Sequence, residues 1–411
     1  MNILKAGLCL LPSFLLVIFS FGSVRSSSDC KGKDCRPGIE CPGPYNCTCA
    51  KGSSGEYELL CPAVGEFVLS VSIMPDKYVQ IQCTYATRYT DYDLLRGLKV
   101  GPVTTVNFRL CPLPHMSLAE LTKTIGINST NTLLFQSYRN LSNSLERKHL
   151  AGLGNVTRLL LSSNGLTDLP EYLLQDLFNL TWLDLRGNNV HLHKNFFVSV
   201  PKLEVLELGN NDLTHLDEGV FANLTKLKFL NIWKNQLENL TRNVFSDLTS
   251  LEQLDISSNK LKSLPADVFQ DLKKLVKLSI YANDFSSIPE GLFASTPKLE
   301  IIRLYDNKRA LTLPNYFLAN LTQLKEIYLM RNNLLSIPEN VFWNSSAVAN
   351  ISLQGNSLKE IPQELFRDQI YLKNLDLSYN QLEHVPNYAF KSLVRLQFLK
   401  LGYNRLQNIS R

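Results

Sequence analysis

The sequence predicts a repeat solenoid, a stack of short parallel strands forming one curved sheet and closed at its N-terminal end by disulfides. Three observations carry this reading. An asparagine recurs at a nearly constant interval through two thirds of the chain, eight of the nine cysteines fall between residues 30 and 111, and an apolar leader precedes eleven Asn-x-Ser/Thr sequons. Self-similarity at a period of about 20–50 residues is the mark of solenoids and arrays.

The repeat comes first. The block Leu-Glu-Gln-Leu-Asp-Ile-Ser-Ser-Asn-Lys-Leu at 251–261 has relatives on both sides. Aligning them gives Asn164, Asn188, Asn211, Asn235, Asn259, Asn283, Asn307, Asn332, Asn356, Asn380 and Asn404, with gaps of 24, 23, 24, 24, 24, 24, 25, 24, 24 and 24 residues. This is the leucine-rich-repeat pattern L-x-x-L-x-L-x-x-N-x-L, which implies a horseshoe with a parallel β-sheet on its concave face. In Leu254-Asp255-Ile256 the alternation places both aliphatic side chains on one face of a short strand and Asp255 on the other. One such strand is unstable alone, whereas stacked copies bury a continuous core. The asparagine column is expected to form a hydrogen-bonded ladder inside the solenoid. A second column, Phe197, Phe221, Phe245, Phe269, Phe293, Phe317, Phe342, Phe366 and Phe390, is expected to be a buried spine on the convex side. Pro265, Pro289, Pro338, Pro362 and Pro386 favour extended backbone after each strand region. Asn, Phe and Pro are therefore structural.

The register extends toward the N-terminus. Val103, Val106, Phe108, Cys111 and Leu113 fit the template with cysteine in place of asparagine, and a degenerate copy follows with Leu133, Phe135 and Tyr138. Terminal repeats are atypical because one face lacks a neighbour. The domain reading is a signal peptide at 1–26, a cysteine-rich cap at 27–101, and leucine-rich repeats at 102–411, about eleven regular and two degenerate. Beyond Asn404 the chain stops part-way through a repeat, so a fragment of a longer protein is expected.

Composition and signals bound the function. Net charge is +5 over 411 residues, with basic and acidic residues interleaved, and no nucleic-acid partner is implied. Residues 1–26 read as a secretory signal, with Lys5 and an apolar run from Leu8 to Phe21 followed by Ser23 and Ser26; that run is short of the ~20 residues of a membrane span. Any membrane attachment would come from a C-terminal segment not in this sequence. An even number of cysteines in an exported chain reads as disulfides (Cys30, Cys35, Cys41, Cys47, Cys49, Cys61, Cys83 and Cys111) in preference to zinc. The sequons Asn46, Asn128, Asn140, Asn155, Asn179, Asn223, Asn239, Asn320, Asn344, Asn350 and Asn408 indicate a glycosylated surface.

No catalytic constellation or phosphate-binding glycine loop appears, and no cofactor is implied. The six histidines are scattered, and His191-x-His193 lacks the further ligands of a metal site. Enzyme is excluded as a class. The candidate binding residues are those around the strand aliphatics that the core leaves unused: Trp182, Arg186, Phe229, Trp233, Lys234, Lys277, Tyr281, Arg303, Tyr305, Asp306, Tyr328 and Arg331. Aromatic residues and arginine carry much of the energy at protein interfaces. Asn350 falls at a strand position, so a glycan there would shield the later concave surface.

Two segments resemble known families. Cys41-x5-Cys47-x-Cys49-x11-Cys61 resembles the N-terminal cysteine cap of extracellular leucine-rich-repeat proteins. That resemblance implies Cys41 with Cys49 and Cys47 with Cys61, with Cys83–Cys111 tying the cap to the first strands and Cys30–Cys35 as a small outer loop, while the sequence by itself leaves the connectivity open. More specifically, Glu56-Tyr-Glu-Leu-Leu-Cys-Pro62, Tyr78-Val-Gln-Ile-Gln-Cys83, Thr90-Asp-Tyr92, Leu98-Lys-Val-Gly101 and Asn107-Phe-Arg-Leu-Cys111 resemble the opening of insect Toll receptors. Leu230–Leu237, Asn239-Leu-Thr241 and Asn350-Ile-Ser-Leu353 are similar to later repeats of that family. The resemblance covers essentially the whole mature chain. It implies the ectodomain of an innate immune or developmental receptor, outside the cell and anchored in the plasma membrane when the C-terminal part is present. It also implies a dimeric cystine-knot cytokine of the Spätzle class bound toward the capped end, ligand-induced receptor pairing, and signalling through a cytoplasmic Toll/interleukin-receptor domain. The alternative is a secreted leucine-rich-repeat binding or adhesion protein, including a soluble decoy.

Overall fold

Around each repeat leucine the polar–aliphatic alternation makes a strand only three residues long, and such strands gain stability by stacking. A computed structural model describes residues 47–63, 66–84, 87, 89–136, 141 and 145–407, all within the compact unit Cys41–Arg411. The leader 1–26, Cys30, Cys35, Cys41, Tyr138 and the sequons Asn46, Asn140 and Asn408 lie outside the described residues.

Among the described residues seventeen strands form one sheet, paired in chain order. The first four are β1 (Thr48–Lys51), β2 (Tyr57–Ala63), β3 (Glu66–Met74) and β4 (Tyr78–Cys83), each antiparallel to the next. From β4 onward the pairing is parallel: β5 (Thr105–Arg109), β6 (Thr132–Gln136), β7 (Arg158–Leu160), β8 (Trp182–Asp184) and β9 (Val205–Glu207). The series continues through β10 (Phe229–Asn231), β11 (Gln253–Asp255), β12 (Lys277–Ser279), β13 (Ile301–Arg303), β14 (Glu326–Tyr328), β15 (Asn350–Ser352), β16 (Asn374–Asp376) and β17 (Phe398–Lys400). The fold is thus a β-solenoid of thirteen coils, β5 to β17, with an antiparallel cap. The sheet crosses from cap to repeats without interruption, because β4 supplies the parallel edge on which β5 is laid.

The cap is a small apolar layer held by disulfides. Leu59, Leu69, Val71, Ile73, Val79 and Ile81 are buried in it, and they cover Val106 and Phe108 of the first coil. Cys47 is bonded to Cys61, and Cys83 to Cys111, which ties β4 to the turn after β5. Cys49 is also disulfide-bonded. A Ser117–Glu120 capping box starts the helix α1 (Leu118–Thr124) on the return segment of the first coil. A second short helix, α2 (Arg147–Leu150), lies on a later return segment.

Stacking does the burying. Leu375 of β16, with a coil on either side, is 1% exposed, whereas its register partner Leu399 of β17, with a described coil on one side only, is 39% exposed. Inside the coils the asparagines form the ladder. Asn259 Nδ2 donates to the Ile232 carbonyl one coil back (3.1 Å) and to the Ile256 carbonyl of its own coil (3.0 Å), and Oδ1 accepts from the Leu237 N–H (3.1 Å). On the convex side Phe221, Phe245, Phe269 and Phe293 stack at 6.3–6.4 Å between centroids with interplanar angles of 4–19°. Phe390 near the last described coil is only half-buried.

Ladder and spine both falter at one place. Asn307 Nδ2 donates to Asn332 Oδ1 (2.9 Å) in place of backbone carbonyls, its own Oδ1 has no partner, and Phe317 is tilted by 47° against Phe293. The repeat between these two asparagines carries the single 25-residue interval. Backbone bonds across the convex side, Leu318 N–H to the Val341 carbonyl and Asn320 N–H to the Trp343 carbonyl at 2.9 Å each, join the coils there.

Phe269→Ala is expected to lower stability by about 3–5 kcal/mol through the cavity it leaves. Asn259→Ala is expected to cost about 2 kcal/mol, because it leaves the buried Leu237 N–H unpaired and takes one of two amide donors from each of the Ile232 and Ile256 carbonyls. Replacing the exposed Lys260 with Ala is the control. Unfolding midpoints and secretion yield measure all three, and a normal midpoint for Asn259→Ala would remove the ladder from the account.

Candidate functional site on the concave face

The repeat dictates what reaches the concave side. The residues flanking each buried strand leucine face outward, and register pairing aligns them in columns across coils. The first column reads Arg158, Trp182, Val205, Phe229, Gln253, Lys277, Ile301, Glu326, Asn350 and Asn374. The second reads Asp184, Glu207, Asn231, Asp255, Ser279, Arg303, Tyr328, Ser352 and Asp376. A third, past the next buried aliphatic, holds Arg186, Gly209, Trp233, Ser257, Tyr281 and Tyr305.

A fourth column is set by the backbone. The residue before every ladder asparagine has positive φ: Ser163, Gly187, Asn210, Lys234, Ser258, Ala282, Asp306, Arg331, Gly355, Tyr379 and Tyr403. Here the strand turns so that the asparagine points inward. Only two of these positions are glycine, and the left-handed conformation costs other residues about 1–2 kcal/mol. Lys234, Asp306 and Arg331 therefore project from a turn whose shape does not depend on their side chains.

The predicted residues fall into two groups. Trp233, Lys234, Tyr281, Arg303, Tyr305, Asp306, Tyr328 and Arg331 lie on or just after β10 to β14, and Phe229 and Lys277 lie in the first column of the same coils. Tyr281 and Tyr305 stack with centroids 4.4 Å apart and planes 1° from parallel. The Arg303 guanidinium sits 5.8 Å from the Tyr328 ring, and the Tyr328 hydroxyl donates to Glu326 (2.9 Å). Arg331 forms a two-pronged contact with Asp306, one prong at 2.8 Å. Trp233 is 36% exposed, with Lys234 Nζ 5.7 Å from its ring. Burial holds the Tyr281 hydroxyl above the usual phenol range, and burial with the Glu326 contact does the same for Tyr328, so both are hydroxyl donors at neutral pH.

Trp182 and Arg186 stand apart, with β9 between them and Trp233. Trp182 lies under the Arg158 guanidinium at 4.2 Å. Arg186 is clamped by Asp184 (2.7 and 3.0 Å) and lies 3.8 Å from Glu207. That clamp orients the guanidinium.

The sequence reading missed the polar floor beneath the aromatics. Asp184 is 1% exposed and Glu207 8%. Glu207 accepts from the Asn231 amide (2.8 Å), and Asp255 accepts from Ser257. Burial raises the Glu207 and Asp255 carboxyl pKa values, against the lowering pull of Arg186 on the first and the Ser257 bonds on the second. The signal was the run of acids and amides at one repeat position, hidden because the same position holds serine, arginine or tyrosine in other coils.

Of the described sequons, Asn128, Asn155, Asn223, Asn239, Asn320 and Asn344 are exposed, while Asn179 and Asn350 are half-buried. No described sequon falls between Asn239 and Asn320, the stretch that carries Tyr281, Arg303 and Tyr305. Among the described residues no His, Cys, Asp and Glu group has metal-binding geometry, and no helix is long and apolar enough to cross a membrane.

Comparison with known proteins places this geometry. A family model of the BspA-type leucine-rich-repeat region matches residues 136–251, 191–316 and 238–372, and a second leucine-rich-repeat model matches 346–406. Protein toll of Drosophila melanogaster is 39% identical over 170 residues, which is 41% of this chain and 15% of that protein. Two solved chains from the Toll–Spätzle complex of Drosophila are also similar. One has a TM-score of 0.78 at 37% identity, covering 87% of this chain and 47% of that one. The other, from the glycosylated form, has a TM-score of 0.79 at 35% identity, with 89% and 52% covered. A chain of the octameric complex of Latrophilin 3, Unc5D and FLRT2 follows at 0.53 and 27%, covering 61% of this chain and 76% of that one. The chain thus spans about half the length of the solved Toll chains and a smaller share of the curated relative.

The buried acids generate a pH prediction. A carboxyl whose folded pKa is raised contributes stability that is complete below its unfolded value, about 4.3 for Glu, and is lost as pH rises through the folded value. Glu207→Gln is therefore expected to melt above the unsubstituted protein at pH 7, with the gap closing toward pH 4. A lower melting temperature at pH 7 would mean that the charged contact with Arg186 outweighs the burial cost.

Proposed function

We propose, since the chain belongs to the leucine-rich-repeat family and has the build of a Toll-type ectodomain, that its concave face binds a dimeric cystine-knot cytokine of the Spätzle class. The family is a non-enzymatic binding family, and an ectodomain of this type works outside the cell or at its membrane surface. The observation that carries the reading is the likeness, over most of the chain, to Toll solved together with Spätzle. The aromatic and arginine band on β10 to β14 supplies the chemistry: flat, partly rigid rings and oriented guanidinium groups lose little conformational entropy on binding. In the full-length receptor, binding pairs two ectodomains and brings their cytoplasmic Toll/interleukin-receptor domains together.

The band has the anatomy of an interface centre. Trp233 is exposed beside the Tyr281–Tyr305 stack, and the Arg331–Asp306 and Arg303–Tyr328 contacts lie on the following coils. Their internal contacts pre-order the side chains, so a ligand meets a surface already in position. The sugar-free interval between Asn239 and Asn320 keeps the flanks of these coils open to a protein partner. The cap, the cysteine pairs at its base and the repeats together form the domain that presents this surface.

Trp233→Ala and Tyr281→Ala are each expected to weaken cytokine binding roughly 30-fold, the factor for a hot-spot loss of about 2 kcal/mol. Secretion is expected to change little, since the Tyr281–Tyr305 stack contributes about 1 kcal/mol to folding. Titration of the secreted variants by calorimetry measures both effects. Unchanged affinity in both variants would move the site off this band.

A further inference from the structure

Beyond β14 the concave face changes chemistry. On β15 and β16 the outward columns hold Asn350 and Asn374, then Ser352 and Asp376, and past the next aliphatic Gln354 and Ser378. In these three columns amides and hydroxyls, with the Asp376 carboxylate, replace the rings and guanidinium groups of β10 to β14, while in the fourth column Tyr379 stacks on Tyr403 at 4.2 Å. Amides and hydroxyls both donate and accept, which is the requirement for meeting sugar hydroxyls. Between Tyr328 and Phe398 the face also carries a groove of about 360 Å³, lined further by Asn350, Ser352, Asn374, Asp376 and Lys400, the last paired with Asp376 at 3.2 Å. That volume lies within the range of about 300–1,000 Å³ typical of small-molecule clefts.

In the middle of this groove Asn350-Ile-Ser352 is an N-glycosylation sequon on a strand. The Asn350 amide has a set orientation: its Oδ1 accepts from Asn374 Nδ2. Its own Nδ2 makes no hydrogen bond to a described residue and is not buried. The other half-buried sequon differs, because Asn179 Nδ2 is tied to the Gly154 carbonyl at 2.9 Å. Asn344 Nδ2 is likewise tied to Asn320 Oδ1 at 2.8 Å. Asn350 thus presents the atom that carries a glycan beside a groove flanked by two aromatic rings.

We propose that Asn350 carries an N-linked glycan whose core sugars occupy this groove, so that carbohydrate covers the later concave face and confines a protein ligand to β10 through β14. In the transfer step a lipid-pyrophosphate-linked oligosaccharide is the donor. The sugar C1–oxygen bond to phosphate breaks, a bond from C1 to Asn350 Nδ2 forms, the amide loses one proton, and the lipid pyrophosphate leaves. The first sugar rings then lie with their C–H faces toward Tyr328 and Phe398, and their hydroxyls meet Asn374, Asp376 and Ser352. The glycan and its seat in the groove concern the chain alone, and the confinement of a protein ligand rests on the reading of β10 through β14 as its binding band.

The test uses the chain secreted from eukaryotic cells. An amidase that cleaves N-glycans, used in heavy-oxygen water, converts each occupied asparagine to labelled aspartate, which peptide mass spectrometry locates. In denatured protein, label is expected at residue 350 and at Asn239. In native protein, release at residue 350 is expected to be at least about tenfold slower than at Asn239, because the sugar must first leave the groove. Ser352→Ala removes the label at 350 alone, and Tyr328→Ala keeps occupancy while bringing the native release rate up toward that of Asn239. An unlabelled Asn350 in the denatured wild-type chain overturns the site. Native release as fast as at Asn239 overturns its seat in the groove.

Discussion

In most coils, Asn307 excepted, the buried asparagine donates to carbonyls in its own coil and in the one before, and accepts from backbone N–H groups of that earlier coil. Asn188 shows the full set, donating to Leu161 and Leu185 and accepting from Asn164 and Leu166. Strands of three residues leave much of each coil's backbone outside the sheet ladder, and those groups are buried. A typical hydrogen bond nets about 1 kcal/mol, but leaving a buried group unpaired costs about 1–3 kcal/mol. The ladder is therefore what makes so short a strand tolerable, and its constant spacing follows from the need to meet the previous coil in register. Nearest-neighbour stacking does the rest, as the exposed Leu399 beside the buried Leu375 makes plain.

Because the core of each coil is secured by leucines, asparagine and phenylalanine, the outward residues carry no structural duty of comparable weight. The same columns hold Trp182, Glu207, Phe229, Asp255, Arg303 and Tyr328 without disturbing the strand geometry. Even the left-handed turn before each asparagine accepts serine, lysine, aspartate, arginine or tyrosine. The concave face is thus a surface whose chemistry changes along a scaffold that does not. One half carries aromatic and guanidinium groups beside buried acids, and the other carries amides and hydroxyls around a sequon, with the Tyr379–Tyr403 stack and the Asp376–Lys400 pair at its edge.

The fold was largely legible in the sequence, because the interactions that make it are periodic. The Asn and Phe columns, the degenerate coils at Phe108 and Phe135, and the clustering of cysteines at one end each leave a trace that repeats or is compositionally distinct. The cap hairpins of β2 to β4 were not read, because their pairing depends on turns with no repeated signature. Nor were the Ser117–Glu120 capping box and the break at Asn307. The site was legible as a set of outward positions but not as a set of contacts. That Tyr281 stacks on Tyr305 and that Asn374 leaves the Asn350 amide nitrogen free depend on side-chain geometry across coils about 24 residues apart in sequence, and that Asp184 clamps Arg186 depends on rotamers within one coil.

The central claim is that a protein ligand occupies the concave face over β10 to β14. Hydrogen-exchange mass spectrometry of the secreted ectodomain, with and without a dimeric cystine-knot cytokine of the Spätzle class, tests it directly. The account predicts slowed exchange in the peptides spanning 229–234, 277–282, 301–306 and 326–331, with the convex segments unchanged. Protection confined to the convex side or to β15 and β16, or no protection at saturating cytokine, would contradict it.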